Sequence, residues 1–130
     1  MTAMGSHPIV LISVSSSILS GGLHSLVRSS CRSMQIVHVE DTAAMPQMVR
    51  DLEPQVVMLD TTLYDSDISA TLEAVHESCS HTRCVVLVDN AQQVIEAEEA
   101  GADLAILKGF PAQKLAAALS ALWQKRAVPN

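Results

Sequence analysis

Short, nearly unbroken apolar runs recur five times along the chain: Ile9–Val14, Ile36–Val39, Val56–Leu59, Cys84–Val88 and Leu104–Leu107. They are rich in β-branched residues and bounded by polar breaks. A strand with one wet face alternates apolar and polar residues; runs without that alternation predict strands buried on both faces, as in a parallel sheet. Segments of helical period lie between them. Leu19, Leu23, Leu26 and Val27 share one helical face, and Met45, Met48, Val49 and Leu52 follow at i, i+3, i+4 and i+7. Ile68, Leu72 and Val75 obey the same rule. Gln92–Ala100 predicts a shorter helix with Glu96, Glu98 and Glu99 on a solvated face, and Leu115, Ala118, Leu119 and Leu122 predict the last one. The punctuation agrees: Thr42 suits a helix N-cap, Gly101 the position past a helix end, and Pro111 a first helical turn.

The order is therefore β-α repeated five times, with each helix long enough for a right-handed crossover. This predicts an α/β fold: a doubly wound, five-stranded parallel sheet with helices on both faces. No internal repeat, linker or low-complexity stretch interrupts it. In such sheets ligands gather at the carboxyl ends of the strands, near the point where strand order reverses. Those ends are Ser13–Ser17, Val39–Asp41, Asp60–Tyr64, Val88–Asn90 and Lys108–Phe110.

Composition narrows the function. The chain has 130 residues, 48% of them hydrophobic, which suits one packed domain. Its only aromatics are Tyr64, Phe110 and Trp123, so the core is aliphatic and platforms for stacking bases are missing. Tyr64 reads as a loop-packing aromatic and Trp123 as a lid on the apolar face. Net charge is −6, with eight scattered Lys and Arg, which argues against direct binding to nucleic acid or an anionic membrane. Cys31, Cys79 and Cys84 are odd in number and lack zinc spacing, so they read as buried thiols of a reducing, cytoplasmic setting. His7, His24, His38, His76 and His81 show no ligand pairing along the sequence and leave a metal reading open without placing it. Residues 1–7 read as a disordered or vector-derived N-terminus, 8–126 as the domain, and 127–130 as a tail or the start of a linker toward an output domain. No apolar run approaches the ~20 residues that span a bilayer.

Four stretches resemble the response-regulator receiver domains of two-component signalling, over Pro8 to Arg126. Pro54–Asp60 resembles the third strand ending in a phosphoacceptor aspartate. Glu99-Ala-Gly-Ala-Asp103 resembles the entry to the fifth strand, and Leu107-Lys108 its end with the family lysine. Ile9–Ile12 followed by Gly22-Leu23 has the spacing of the first strand and helix. The resemblance implies a flavodoxin-like (βα)5 three-layer sandwich. It also implies Asp60 as phosphoacceptor candidate and Lys108 as its phosphate or ion-pair partner.

The remaining family positions depart from the pattern. The acidic pair that holds Mg²⁺ falls at Val14 and Ser15, the hydroxyl after the fourth strand at Val88, and the fifth-strand aromatic at Ala105. Asp41, Asp65 or Asp89 would have to substitute as ligands, from separate loops. Mg²⁺ wants several hard oxygens, and Asp60 by itself is a poor site. The expectation is an atypical receiver, not an enzyme beyond at most self-phosphorylation at Asp60, with no cofactor and with Asp60 and Lys108 in a plain ion pair. Its partners would be proteins: a sensor histidine kinase, an output domain, or a second copy through the face of the fourth helix, fifth strand and fifth helix.

Two alternatives remain. One is a conventional receiver, with Mg²⁺, phosphorylated on Asp60 and controlling a DNA-binding output. The other is a flavodoxin-like binder of a phosphate-containing ligand. It would use an anion loop of Ser13, Ser15, Ser16 and Ser17, where hydroxyls and free amides precede a helix.

Overall fold

The computed structural model describes residues 8–30, 33–64, 68–109 and 111–127, with the side chains of 17–19, 112 and 123–127 left outside that description. Five strands form one parallel sheet in the order β2-β1-β3-β4-β5. They are β1 Ile9–Ser13, β2 Gln35–His38, β3 Val56–Asp60, β4 Arg83–Val88 and β5 Leu104–Leu107. The helices are α1 Ser17–Ser30, α2 Met45–Leu52, α3 Thr61–Tyr64, α4 Ile68–Ser78, α5 Ala91–Glu99 and α6 Ala112–Ala127. The predicted fourth and fifth helices are thus α5 and α6, because a single extra turn, α3, follows β3.

The apolar runs of β1, β3 and β4 are buried on both faces, whereas those of the edge strands β2 and β5 are only partly buried, because each has a neighbour on one side alone; side-chain alternation divides the strands between two cores. Val10, Ile12, Val56, Met58, Val85, Leu87 and Ile106 face one side, where Leu23 and Val27 of α1 and Leu115, Leu119 and Leu122 of α6 cover them. Leu11, Val57, Leu59, Cys84, Val86 and Val88 face the other, under Met45 and Val49 of α2, Leu72 and Val75 of α4 and Ala97 of α5. Three layers result, as the sequence pattern predicts.

Strand order reverses at β1: β2 lies on one side of it and β3 on the other. The register pairs Ser13 with Leu59 and Asp60 with Leu87. The carboxyl ends of β1, β3 and β4 therefore finish at nearly one level, and their loops meet there.

Local differences from the sequence reading have simple causes. Thr42 is not the cap: Asp41 takes that position and its carboxylate accepts from Ala43 N at 3.0 Å, which opens a 3₁₀ turn over Thr42–Ala44 ahead of α2. Pro111 precedes α6 instead of lying in its first turn, and its carbonyl accepts from Leu115 N. Gly101 follows the end of α5 with φ +108°, a conformation that favours glycine. Tyr64, expected to pack in a loop, sits instead on the helical turn α3 and is buried in the core at 5% exposure. Cys79 and Cys84 are buried, as anticipated. Phe110, Asp65, Asp67, Cys31, residues 1–7 and 128–130, and the Trp123 side chain lie outside the described set.

Leu72 of α4 is fully buried in the α2–α4–α5 core, whereas Ile95 of α5 is 50% exposed. Leu72→Ala is expected to lower unfolding free energy by about 2–5 kcal/mol in urea melts. Ile95→Ala should stay within about 0.5 kcal/mol of the parent.

Candidate functional site

Asp60 is the last residue of β3 and is fully buried. A carboxylate in that position must recover from protein groups the hydrogen bonds it lost from water. Four donors do this. Oδ2 accepts from Ser15 N at 2.9 Å and from Ser15 Oγ at 2.8 Å. Oδ1 accepts from Thr62 N at 2.9 Å and forms the ion pair with Lys108 Nζ. A carboxylate offers about four lone-pair positions, and here each meets a donor.

Lys108 follows β5, and its backbone N bonds to Val88 O at 2.8 Å, which fixes where the side chain begins. Its ammonium also meets Asp89 Oδ1 at 3.0 Å and donates to Thr62 Oγ1 at 2.7 Å. Three N–H bonds thus meet three acceptors on β3, α3 and the β4–α5 loop. Burial works to raise the Asp60 pKa, but the Lys108 bond, the Ser15 and Thr62 amides and the Ser15 hydroxyl outweigh it, so the net shift is downward. Burial works to lower Lys108, but its bonds to Asp60 and Asp89 outweigh it, so its pKa is raised. Both directions favour the charged pair.

A second layer of contacts braces this centre. Thr61 Oγ1 lies 3.3 Å from both Leu87 O and Gln93 Oε1. Gln93 Oε1 also accepts from Asp89 N at 2.7 Å, while Asn90 caps α5 by accepting from Gln93 N at 2.9 Å. The Asn90-x-x-Gln93 spacing is that of a capping box, and it is the signal by which Gln93 could have been found in the sequence. Thr61 and Thr62 carry no comparable signature. On the other side, Ser13 Oγ and Tyr64 Oη are 2.7 Å apart and both buried, tying the end of β1 to α3.

The structure brings Asp60, Lys108 and Ser15 together and disposes of the other expected residues differently. Val14 packs against the α1–α6 core and Val88 is fully buried beneath α5. Ala105 lies mid-strand on β5, opposite Val86, against the other core. The expected anion loop is not a set of free hydroxyls. Ser13 points into the core and is bonded to Tyr64, and Ser15 is committed to Asp60. Ser16 is exposed before α1, and Ser17 opens that helix with its side chain outside the described set. A groove of about 690 Å³ runs from Ser15 and Ser16 past Ser20 to His24, His38 and Glu40. There the two imidazoles stack with centroids 5.2 Å apart, and His24 Nδ1 stands 3.0 Å from His38 Nε2.

Mg²⁺, the ion that a conventional receiver would use, does not suit these residues. Asp60 has no lone pair left over, its neighbours at the β1 end are Ser13, Val14 and Ser15, and Asp41 lies after β2 with one oxygen taken by the Ala43 amide. Asp89 lies beyond Lys108, whose ammonium stands between the two carboxylates. Elsewhere, burial and then the charge of Asp103 push the Cys84 thiol up to about 12.

Neither a protein-family model nor a curated protein matches the sequence. Solved structures do match. The signal receiver domain of a putative Luxo repressor protein from Vibrio parahaemolyticus is 20% identical over 93% of each chain, with a TM-score of 0.79. A putative pilus assembly-related protein from Burkholderia pseudomallei is 19% identical over 95% of each chain, with a TM-score of 0.78. A CheY-like response regulator receiver domain protein from Methanospirillum hungatei is 13% identical, with a TM-score of 0.78, over 93% of this chain and 97% of its own. The chain has the flavodoxin-like fold of response-regulator receiver domains.

Lys108→Met leaves a buried, ionised Asp60 without its cation and is expected to cost about 3–5 kcal/mol in urea melts at neutral pH. Asp60→Asn combined with Lys108→Met should cost less than the sum of the single changes. The depressed Asp60 pKa contributes stability above its unfolded value near 3.8, lost as pH falls through the lower folded value. The raised Lys108 pKa contributes below 10.5, lost as pH rises through the higher folded value. Stability followed against pH should show an acid limb that Asp60→Asn flattens and an alkaline limb that Lys108→Met flattens.

Proposed function

We propose that this domain is an atypical receiver that works by protein–protein contact in one fixed state, with weak or no Mg²⁺-dependent phosphorylation at Asp60. The observation that carries the reading is the saturation of the Asp60 carboxylate by Ser15, Thr62 and Lys108. A phosphoryl acceptor must offer an oxygen lone pair to phosphorus while cations absorb the charge that develops. Here both oxygens already accept two donors, and Lys108 is shared with Asp89 and Thr62. Freeing an oxygen means breaking bonds at a buried charge, and among the described residues the nearby carboxylate of Asp89 is already paired with Lys108.

The residues at two positions named by the resemblance support the same reading. Ala105 stands at the fifth-strand position where the resemblance calls for an aromatic, and Val88 offers no hydroxyl. The partner is proposed to be a protein, either an output domain or a second copy of the chain. The exposed apolar side chains Ile95 of α5 and Leu107 of β5 support the α5–β5–α6 face as the contact surface. Structural neighbours described as pilus assembly proteins, alongside those described as regulators, agree with a fold that serves in either setting. No helix among the described residues is long and apolar enough to cross a membrane, and the proposed setting is cytoplasmic. The reading as a binder of phosphate-containing ligands is less well supported, since the hydroxyls of Ser13 and Ser15 are already engaged.

Incubation with acetyl phosphate and Mg²⁺, followed by intact-mass measurement, is expected to leave the mass unchanged. A gain of one phosphoryl group that disappears in Asp60→Asn would overturn the reading and restore a conventional receiver. A thermal-shift screen of nucleotides and flavins is expected to give no stabilisation. A ligand at ~100 times its Kd would add about 2.7 kcal/mol, so a real binder would be plainly visible.

A further inference from the structure

At the pole of the sheet opposite Asp60, an imidazole, a thiol and a carboxylate converge from three elements. His76 lies in the last turn of α4, Cys84 near the start of β4 and Asp103 just before β5. One ligand atom from each lies within 4.8 Å of the others. His76 Nε2 stands 3.8 Å from Cys84 Sγ. In a tetrahedral zinc centre, with Zn–S about 2.3 Å and Zn–N about 2.0 Å, sulfur and nitrogen stand about 3.5 Å apart. The pair thus has nearly the separation a shared metal requires.

Other features hold these side chains in place. Asp103 Oδ2 accepts from Cys84 N at 2.8 Å, which aims the carboxylate at the start of β4 and leaves that oxygen a further lone pair. Arg83 lies 3.5 Å from the other oxygen, Oδ1. The His76 ring packs over Gly101, where a Cβ would come within 3.3 Å of Cε1 and where φ is +108°. A side chain at that position would press on the imidazole. A pocket of about 290 Å³ is lined by His76, His81, Arg83 and Asp103 and gives access from solvent to two of the three donors, while Cys84 is fully buried and outside its lining.

From this geometry we infer that His76, Cys84 and Asp103 form a Zn²⁺ site, with the fourth position open to water from the pocket. The mixed nitrogen, sulfur and oxygen set suits Zn²⁺ better than Mg²⁺ or Ca²⁺, which take oxygen ligands. On coordination the Cys84 S–H bond breaks, an S–Zn bond forms and the proton leaves to solvent, so thiolate and carboxylate together neutralise the ion. The site would clamp the end of α4 to the entries of β4 and β5. It is independent of whether Asp60 is phosphorylated.

Co²⁺ is the spectroscopic probe for this test, added to the untagged full chain under reducing conditions. One equivalent is expected to bind with d–d bands of a four-coordinate ion and a sulfur-to-cobalt charge-transfer band. Zn²⁺ should displace it and raise the Tm. Cys84→Ser should remove the charge-transfer band, and His76→Ala should weaken Co²⁺ binding at least ~10-fold and cancel the Tm rise. Cys31→Ser and Cys79→Ser should retain the band, the second because Cys79 with His81, 3.5 Å away, is the competing pair. If Cys84→Ser does not fold, His76→Ala, at a half-buried position, decides the matter. Absence of the band in the parent chain, its loss in Cys79→Ser, or undiminished binding in His76→Ala would each overturn the assignment.

Discussion

An ionised carboxylate removed from water is tolerated only where the protein supplies donors for its lone pairs and an opposite charge close by. Asp60 sets that demand at the carboxyl end of the central strand, and four loops are arranged around meeting it. The β1–α1 loop brings Ser15, α3 brings Thr62, the end of β5 brings Lys108 and the β4–α5 loop brings Asp89 to Lys108. One buried charge thereby couples segments that the sheet alone would leave at their own loops. The coupling also makes the centre stiff: moving any one loop exposes or unpairs a charge. The structural neighbours share the fold and show that this frame is common, so what distinguishes the chain lies in which side chains occupy the strand ends.

The sheet makes this stiffness consequential. Both faces of β1, β3 and β4 are packed, so the carboxyl ends cannot shift in register without dragging side chains from one core to the other. Ser13 and Tyr64 lock β1 to α3 beside the ion pair, and Thr61, Asp89 and Gln93 lock β3 to the start of α5. A receiver that switches needs a softer arrangement, with a carboxylate open to a metal and an element able to change packing on arrival of the phosphoryl group. In the reading proposed above, the corresponding positions would be Val88, which is fully buried, and Ala105, which is too small to change the surface by rotating.

At the other pole the demands are smaller but of the same kind. Thr82 Oγ1 donates to Pro54 O at 2.7 Å, and Asp103 accepts from the amide of Cys84, so the strand entries are also tied by side chains. The cluster of His76, Cys84 and Asp103 arises where these ties bring α4 against β4 and β5. A clamp there would stabilise the frame without touching Asp60, since the length of β4 separates the two.

The five strands, the principal helices, their order and the two-faced burial were legible in the sequence, because unbroken apolar runs and 3.6-residue periods report directly on which faces leave water. Asp60 and Lys108 were legible too, as charged residues directly at the ends of the third and fifth apolar runs. The partnerships were not. Nothing local says that Ser13 turns inward to Tyr64, that Ser15 spends both its amide and its hydroxyl on Asp60, or that Gln93 reaches Thr61. Likewise, His76, Cys84 and Asp103 have no motif spacing and meet only because β4 lies beside β5 under α4. Burial pattern is a property of each segment taken alone. A hydrogen-bond or ligand set between distant segments depends on register and strand order, which only the closed sheet decides.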